Sequence, residues 1–209
     1  MPILQESTIQ KVREHWFANH KATLRDYVDA EGNTITVIDW REPGTGVFAI
    51  RYILDRHYLS VTGDAGHAIY RLDEKAELKH LAHDSMEYMF SQLLCADDSG
   101  IEFDSDVAVE SIRNTIKEFF KNEDTSMYPA IEAAIEAANE AISHNDWQAR
   151  LAVLDDKYNL NECFGDWEWW LPDCGDVYSH QAVGCWIGLK MAYEQLEESK
   201  VLSVGQEQS

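Results

Sequence analysis

The chain has 209 residues, of which 38 are Asp or Glu and 17 are Lys or Arg, so its formal net charge is −21. A surface this negative repels phosphate groups, which argues against electrostatic binding to DNA, RNA or an anionic membrane surface. Hydrophobic residues make up 45% of the chain and aromatic residues 11%, enough for a real core, so the composition excludes disorder of the whole chain. Cationic partners are the natural expectation.

The cysteines show no Cys-x-x-Cys pair, and no basic and apolar leader begins the sequence. This pattern predicts reduced thiols and a cytosolic chain without a secretion signal. The longest apolar stretches are interrupted by charge or glycine well short of a membrane span, so we expect no transmembrane helix. The four cysteines are Cys95, Cys163, Cys174 and Cys185.

The negative charge is distributed unevenly along the chain. Residues 1–80 hold 12 acids and 10 bases, whereas residues 81–209 hold 26 acids and 7 bases. The change in charge coincides with a change in hydrophobic pattern, and together they predict two parts. We expect a helix and antiparallel β-meander at residues 1–80, an acidic helical region at 81–200 and a frayed tail at 201–209.

The first part reads as one helix followed by strands. Apolar residues recur at helical spacing from Glu6 to about His20. A period of two then begins at Ile35 and returns in three further segments, near residues 48–54, 59–61 and 68–72, with turn residues between them. The sequence therefore predicts an α+β fold in which the N-terminal helix packs on a four-stranded antiparallel sheet, followed by an acidic helical C-terminal region.

Three runs in this part carry a resemblance: Trp40–Phe48, Leu59–Gly66 and Ile69–Arg71. Together they resemble a block that recurs in small proteins encoded by bacteriophages and prophages. In that group an Arg-x-Pro turn, an aromatic strand and a strand ending in Gly-Asp-x-Gly lie in this order before a helical region. The resemblance implies a phage accessory protein that acts in the cytoplasm of the bacterial host, and it transfers no catalytic residue.

A helix expected between Ser126 and Ser143 has an unusual polar face. Glu132, Glu136 and Glu140 repeat every four residues, and no Lys or Arg occurs from residue 123 to residue 148. Like charges at this spacing destabilise a helix by about 0.2–0.5 kcal/mol per pair. The face is either a solvated surface that keeps the protein soluble or a surface for a basic partner.

Further acids follow within a few turns, offset by Arg150 and Lys157. Carboxylates on a rigid helix are able to imitate duplex phosphates, which lie about 3.4 Å apart along each strand. Residues 163–176 add tryptophans to an acidic loop, which suits docking on a protein surface or, alternatively, packing beneath a long loop. The predicted partner-binding residues are Glu132, Glu136, Glu140, Asp146, Asp155, Asp156, Asp166, Glu168, Trp169 and Trp170.

The final helix, expected from about Ser179 to Ser199, is apolar around most of its circumference. Gly184, Gly188 and Ala192 recur every four residues and allow another helix to approach closely. The pattern favours the central helix of a helical bundle, and the same stripe is a candidate homodimer contact.

Two sets of side chains have the residue types of a metal site. His80, His83 and Asp84 lie close together in sequence, and Cys163, Cys174, His180 and Cys185 form a second set. Neither set has the spacing of a known zinc motif, and the sequence contains no established catalytic motif. We therefore expect no metal, no cofactor and no enzymatic activity.

The resemblance and the charge asymmetry together predict a phage-encoded inhibitor of a host defence nuclease complex. By this hypothesis an anti-CRISPR or anti-restriction protein acts as a DNA mimic and occupies a basic nucleic-acid site by protein–protein interaction. Two alternatives stay open. One is an accessory protein that assembles with other proteins through the Trp-rich loop and the last helix, and the other is a metal-dependent hydrolase that uses His80 and His83.

Overall fold

The computed structural model describes residues 1–97, 99–119 and 128–206 and has an α+β architecture. The chain forms two compact units. One, which we call the helical unit, comprises Met1–Leu4 and Ile101–Tyr178, and the other, the sheet unit, comprises Gln5–Gly100 and Ser179–Ser209. The boundary that the charge distribution predicts after residue 80 falls inside the sheet unit.

The sheet unit contains one antiparallel sheet of six strands in the order β1-β2-β3-β4-β5-β6. The expected number of four is therefore wrong, because two further strands lie at the edges. The strand β1 is exposed at almost every position, so it lacks the alternation that marks a half-buried strand. The strands are β1 (Lys21–Val28), β2 (Thr34–Arg41), β3 (Ile50–Asp55), β4 (Tyr58–Gly63), β5 (Ala68–Arg71) and β6 (Leu93–Ala96).

Four helices belong to this unit: α1 (Glu6–Lys11), which continues as a π-helical turn at Val12–Trp16, α2 (Leu78–His83), α3 (Met86–Ser91) and α8 (His180–Gln206). The expected N-terminal helix before the sheet is therefore confirmed. The apolar spacing from Met86 to Leu94 predicts one helix with Asp84 as its N-cap, but α3 is shorter because Leu93 and Leu94 belong to β6. Ser85, rather than Asp84, caps α3 by accepting a hydrogen bond from the backbone N–H of Tyr88.

The helix α8 covers one face of the sheet. The hydroxyl of the fully buried Tyr52 donates a hydrogen bond to the carbonyl of Cys185, at 2.9 Å. At the start of β1, the side chain of Gln195 accepts a hydrogen bond from the backbone N–H of Ala22, at 2.8 Å. These contacts fix the helix across the strands, where Gly188 of α8 faces the buried side chains of Trp40, Ile50 and Tyr52.

The small-residue stripe of α8 packs within the sheet unit itself. A methyl group at Gly184 would lie 2.8 Å from the ring of Trp16, and one at Gly188 would lie 2.5 Å from the hydroxyl of Tyr52. Ala192 is fully buried. The chain's own residues occupy this stripe, so the structure gives no support to a homodimer through Gly184, Gly188 and Ala192.

The end of α8 lies beyond its predicted position at Ser199. The helix runs to Gln206, which places most of the expected frayed tail in a helix, and the last three residues lie outside the described ranges. Three further positions also lie outside the described ranges: Asp98, where the sequence predicts a helix end, and Phe120 and Lys121, which it places in a helix over about residues 104–121. Across the described ranges, no helix has the length and apolar character that crossing a membrane requires.

The helical unit consists of helices around one core and a short two-stranded ribbon. Its elements are β7 (Ile101–Phe103), α4 (Ser105–Phe119), α5 (Tyr128–Glu140), α6 (His144–Tyr158), α7 (Leu160–Phe164), a 3₁₀ turn (Trp167–Trp169) and β8 (Asp176–Tyr178). The core centres on Trp147, whose indole N–H donates to the carbonyl of Leu171 at 3.2 Å. The acidic helical region is thus present as helices, with a β-ribbon that the sequence did not predict.

The sequence pattern predicts a buried stripe of Ile131, Ile135, Ala138 and Ile142 on this helix, but the fully buried residues of α5 are alanines. Ala130, Ala134 and Ala138 are almost fully buried, whereas Ile142 is 90% exposed. Small side chains allow close packing against α4 and α6, the two helices that contact α5. This rotation of the helix sets which side its glutamates face.

Replacing Gly188 tests the packing of α8 on the sheet. We expect Gly188→Val to lower the free energy of unfolding by about 2 kcal/mol, because overfilling a packed core forces side chains from their rotamers. Gly46→Val is the control, since nothing lies within 4 Å of a methyl group there. Urea denaturation measures both, and a loss that depends on protein concentration would instead indicate a dimer contact.

A second test concerns His20, which is buried between the rings of Phe17 and Trp40. Burial lowers the pKa of its imidazole. The unfolded chain takes up a proton below about pH 6.5 and the folded chain resists it, so stability falls as the pH decreases. We expect His20→Gln to lose part of this pH dependence in denaturation curves between pH 7.5 and 5.5, and replacement of the exposed His15 by Gln to retain it.

Candidate functional site

The helical unit carries most of the protein's negative charge. It holds 18 acidic and 5 basic residues, a formal net charge of −13, whereas the sheet unit holds 20 acidic and 12 basic residues. Every predicted partner-binding residue lies in this unit. The candidate site is therefore the acidic surface of α5, α6 and the segment that follows α7.

The three glutamates of α5 are exposed. Because the alanine face of α5 points into the core, Glu132, Glu136 and Glu140 are directed to solvent. Because all three carboxylates are exposed, burial does not hold them close to one another. They form a negatively charged row. Successive glutamates are about 6 Å apart, the usual distance between residues four apart on a helix surface.

No basic residue lies near these glutamates on their own helix, but Glu140 has a basic partner from the next helix. The guanidinium of Arg150, on α6, donates to the carboxylate of Glu140 at 2.6 Å and to that of Asp146 at 3.1 Å. Lys157 lies close enough to Glu136 for their charges to interact. Sequence spacing relates each glutamate only to neighbours on its own helix, whereas these cations come from the next helix.

Asp146 is held by its own helix terminus. Its carboxylate accepts a hydrogen bond from the backbone N–H of Ile142 at 3.1 Å, and this bond, together with Arg150, lowers the pKa of Asp146. In return, the hydroxyl of Ser143 accepts from the N–H of Asp146, which caps α6. Asp146 therefore keeps its negative charge at the edge of the surface.

A surface groove of about 440 Å³ separates the exposed sides of α5 and α6. The side chains of Glu136 and Glu140 line one side, and Arg150, Val153 and Lys157 line the other. Val153 is 67% exposed there. The groove offers charged groups of both signs around an apolar side chain, which suits contact with another protein.

The remaining predicted acids divide into surface and structural groups. Asp156, Asp166 and Glu168 are exposed. The carboxylate of Asp155 instead accepts a hydrogen bond from the backbone N–H of Leu160 at 2.8 Å, at the start of α7. Asp176 is buried, and its carboxylate contacts Nδ1 of His144 at 2.8 Å, so it does not belong to the surface.

The predicted Trp-rich loop at residues 163–176 is more ordered than expected, with the end of α7 and a 3₁₀ turn within it. Trp167 is buried in the core, and Trp170 is half-buried with its ring 6.0 Å from that of Phe164. Trp169 differs from both because it is 85% exposed. It stands next to the exposed Glu168 and close to Asp166 in sequence.

The candidate metal residues form no site in the described parts of the chain. No group of three or more His, Cys, Asp or Glu side chains there is arranged to hold a metal ion. His80 and His83 are both exposed, and Nδ1 of His83 lies 2.7 Å from the carbonyl of Lys79. Burial raises the pKa of the Cys174 thiol to about 12, as is typical of a structural cysteine.

The residues that carry the phage resemblance form turns and strands of the sheet unit. The carboxylate of Asp64 accepts a hydrogen bond from the backbone N–H of Phe48 at 2.8 Å, and a methyl group at Gly63 would lie 2.0 Å from the carbonyl oxygen of Ala49. These contacts explain the Gly63-Asp64 pair by the needs of the turn in which it lies.

No family model matches the chain, and neither does any curated protein or any solved structure.

Paired substitutions separate core from surface in the Trp-rich segment. Trp167→Ala removes a buried ring and should lower the free energy of unfolding by about 3–5 kcal/mol. We expect Trp169→Ala to change it by no more than about 0.5 kcal/mol, because this ring is solvent-exposed. Urea denaturation of the two variants checks the contrast, and a large loss in Trp169→Ala would show that this ring has a structural role.

Proposed function

We propose that this chain is a binding protein that inhibits a nuclease complex of a bacterial host's defence system. Its helical unit places carboxylates where the phosphates of a nucleic acid would lie in a basic site of that complex. The phage origin implied by the resemblance belongs to the same proposal. The observation that carries it is the exposed Trp169 within the more acidic of the two units.

The arrangement of charge supports binding to a basic groove. The carboxylates of Glu132 and Glu136 project from one rigid helix, and the partly neutralised Glu140 follows on the same side. A rigid row loses little conformational entropy on binding, which favours association over a flexible acidic tail. Opposite charges also steer the encounter, so binding should weaken as salt increases.

Trp169 supports a protein partner rather than a free cation. An exposed indole has a large apolar area, and tryptophan is among the residues that most often dominate the energy of protein interfaces. Acidic neighbours around an apolar anchor match a partner surface on which basic residues surround a pocket. The same exposure favours the second candidate function, an accessory protein that assembles mainly through Trp169.

The hydrolase alternative is less favoured, although Asp84 lies close enough to His80 and His83 for their charges to interact. His80 lies 3.9 Å from the carboxylate of Glu77, which is beyond hydrogen-bond distance, and His83 contacts a backbone carbonyl of its own helix. A hydrolytic metal site needs three protein ligands and an open position. We therefore propose binding rather than catalysis as the function of this protein.

The test begins with capture of partners from a bacterial host lysate on the immobilised full chain. Washes at about 50 mM and about 500 mM salt separate charge-driven from apolar binding, because the Debye length falls to a few ångströms at high salt. Each captured nuclease is then purified and its DNA cleavage measured with increasing amounts of the protein. We expect inhibition that duplex DNA relieves by competition.

A matched pair of triple variants assigns the inhibition to the acidic row. The variant Glu132→Gln, Glu136→Gln, Glu140→Gln should weaken inhibition at least about tenfold, because each lost contact to a charged group contributes more than about 1 kcal/mol. The control, Glu14→Gln, Glu74→Gln, Glu87→Gln, removes the same charge from exposed positions of the sheet unit. Equal effects of the two variants would contradict mimicry. Salt-resistant binding that Trp169→Ala abolishes would establish the accessory function instead.

A further inference from the structure

The sheet has a second face, opposite the one that α8 covers. It is formed by the odd-numbered residues of β1, β2, β3 and β5 and by the even-numbered residues of β4, and we call it the open face. The alternate residues, such as Trp40 and Tyr52, are buried in the core. On the open face Tyr27 and Tyr58 are 51% and 43% exposed, so the face is accessible.

The open face is positively charged although the protein is strongly negative. Five of its side chains are cationic and two, Asp39 and Asp55, are acidic. In the chain as a whole, by contrast, acidic residues outnumber basic residues. The five cations are Lys21, Arg25, Arg41, Arg51 and Arg71.

One buried carboxylate orients two of these cations. Asp39 is 6% exposed, and its two oxygens accept hydrogen bonds from Arg51, at 2.6 Å, and from Arg25. The three strands β1, β2 and β3 thereby hold both guanidinium groups in fixed positions on the surface. Fixed donors lose less entropy when they bind an anion than mobile side chains do.

The other three cations form no direct ion pair with Asp39, although Arg41 lies close enough to help lower the pKa of that carboxyl. Lys21 lies directly opposite Arg41 in the pairing of β1 with β2, an arrangement of like charges that destabilises a sheet. Within residues 1–97, 99–119 and 128–206, no ion pair is formed by Lys21, Arg41 or Arg71. A bound anion would relieve this repulsion.

Exposed aromatic rings lie among the cations. Tyr27 is close enough to Arg51 for the two groups to interact electrostatically. Tyr58 pairs with Arg71 across β4 and β5, and both line a groove of about 560 Å³ together with the polar side chains of His57, Ser91 and Gln92 and one acidic side chain, Asp73. Rings for stacking, cations for phosphates and amide or hydroxyl groups for base edges thus occur on one surface.

We propose that the open face binds single-stranded nucleic acid. Stacking on Tyr27 and Tyr58 and contacts of Lys21, Arg41 and Arg71 with phosphates are the two interactions that sequence-tolerant single-strand binding combines. A duplex keeps its bases stacked inside and offers the tyrosines no ring to contact. The acids on other surfaces are largely screened at physiological salt, where the Debye length is about 8 Å.

Binding of labelled oligo-dT and oligo-U to the full chain, followed by fluorescence anisotropy, tests the proposal. Three phosphate contacts to a single strand predict a log–log salt slope of about −2, which is roughly a 20-fold loss of affinity between about 50 and 200 mM salt. A duplex of the same length should bind more weakly. Absence of binding to either single strand at about 50 mM salt would overturn the proposal.

Variants locate the site. We expect Arg41→Glu with Arg71→Glu to weaken binding at least about tenfold, and Tyr27→Ala with Tyr58→Ala to do the same by removing stacking. The control, Arg113→Glu with Lys117→Glu, makes the same charge change on exposed positions of α4 and should alter affinity less than about twofold. Equal losses in the control, or polyglutamate binding that needs Arg41 and Arg71 but not the tyrosines, would overturn the assignment, the latter in favour of an acidic protein.

Discussion

The close approach of α8 to the sheet at Gly188 is the contact on which the sheet unit depends. A side chain there would collide with Tyr52, which is fully buried and bonded to the carbonyl of Cys185 on the same helix. Because α8 lies this near, a single helix covers the central strands and buries Trp40 beneath it. The core of the unit is therefore on one face of the sheet, and most of the charged residues of the strands are on the other.

The fold separates charges that the sequence mixes. The sum of −21 describes neither surface, since the helical unit carries −13 and the open face of the sheet carries more cations than acids. At physiological salt an exposed charge acts over about 8 Å, so a partner responds to the local surface and not to the total. The two proposals therefore concern different units and opposite kinds of ligand, a basic protein for one and a nucleic-acid strand for the other.

The sequence predicts best where a segment carries its own periodic signal. The four inner strands, with residues such as Ile50 and Tyr52 on one face, and the final helix follow from this rule. The strand β1 escapes prediction because an exposed edge needs no alternation, and β6 because its apolar run suits a helix equally well. The site shows the same limit: the exposure of Glu132 was predictable from its helix, but the partner of Glu140 was not, because Arg150 reaches it from a different helix. Whether Trp167 or Trp169 points outward depends on the geometry of the turn between them, and the hydrophobic pattern of the sequence does not predict that geometry.

The four thiols of the chain differ sharply in their surroundings. Cys174 and Cys185 are buried, Cys163 is half-buried, and Cys95 is exposed on β6, opposite Ile69 of the open face. A thiol-directed reagent therefore meets Cys95 first, since the others are shielded from solvent. The unmodified chain thus has a natural attachment point for a fluorophore or spin label on the sheet surface, so that events at that surface are observable without engineering a cysteine.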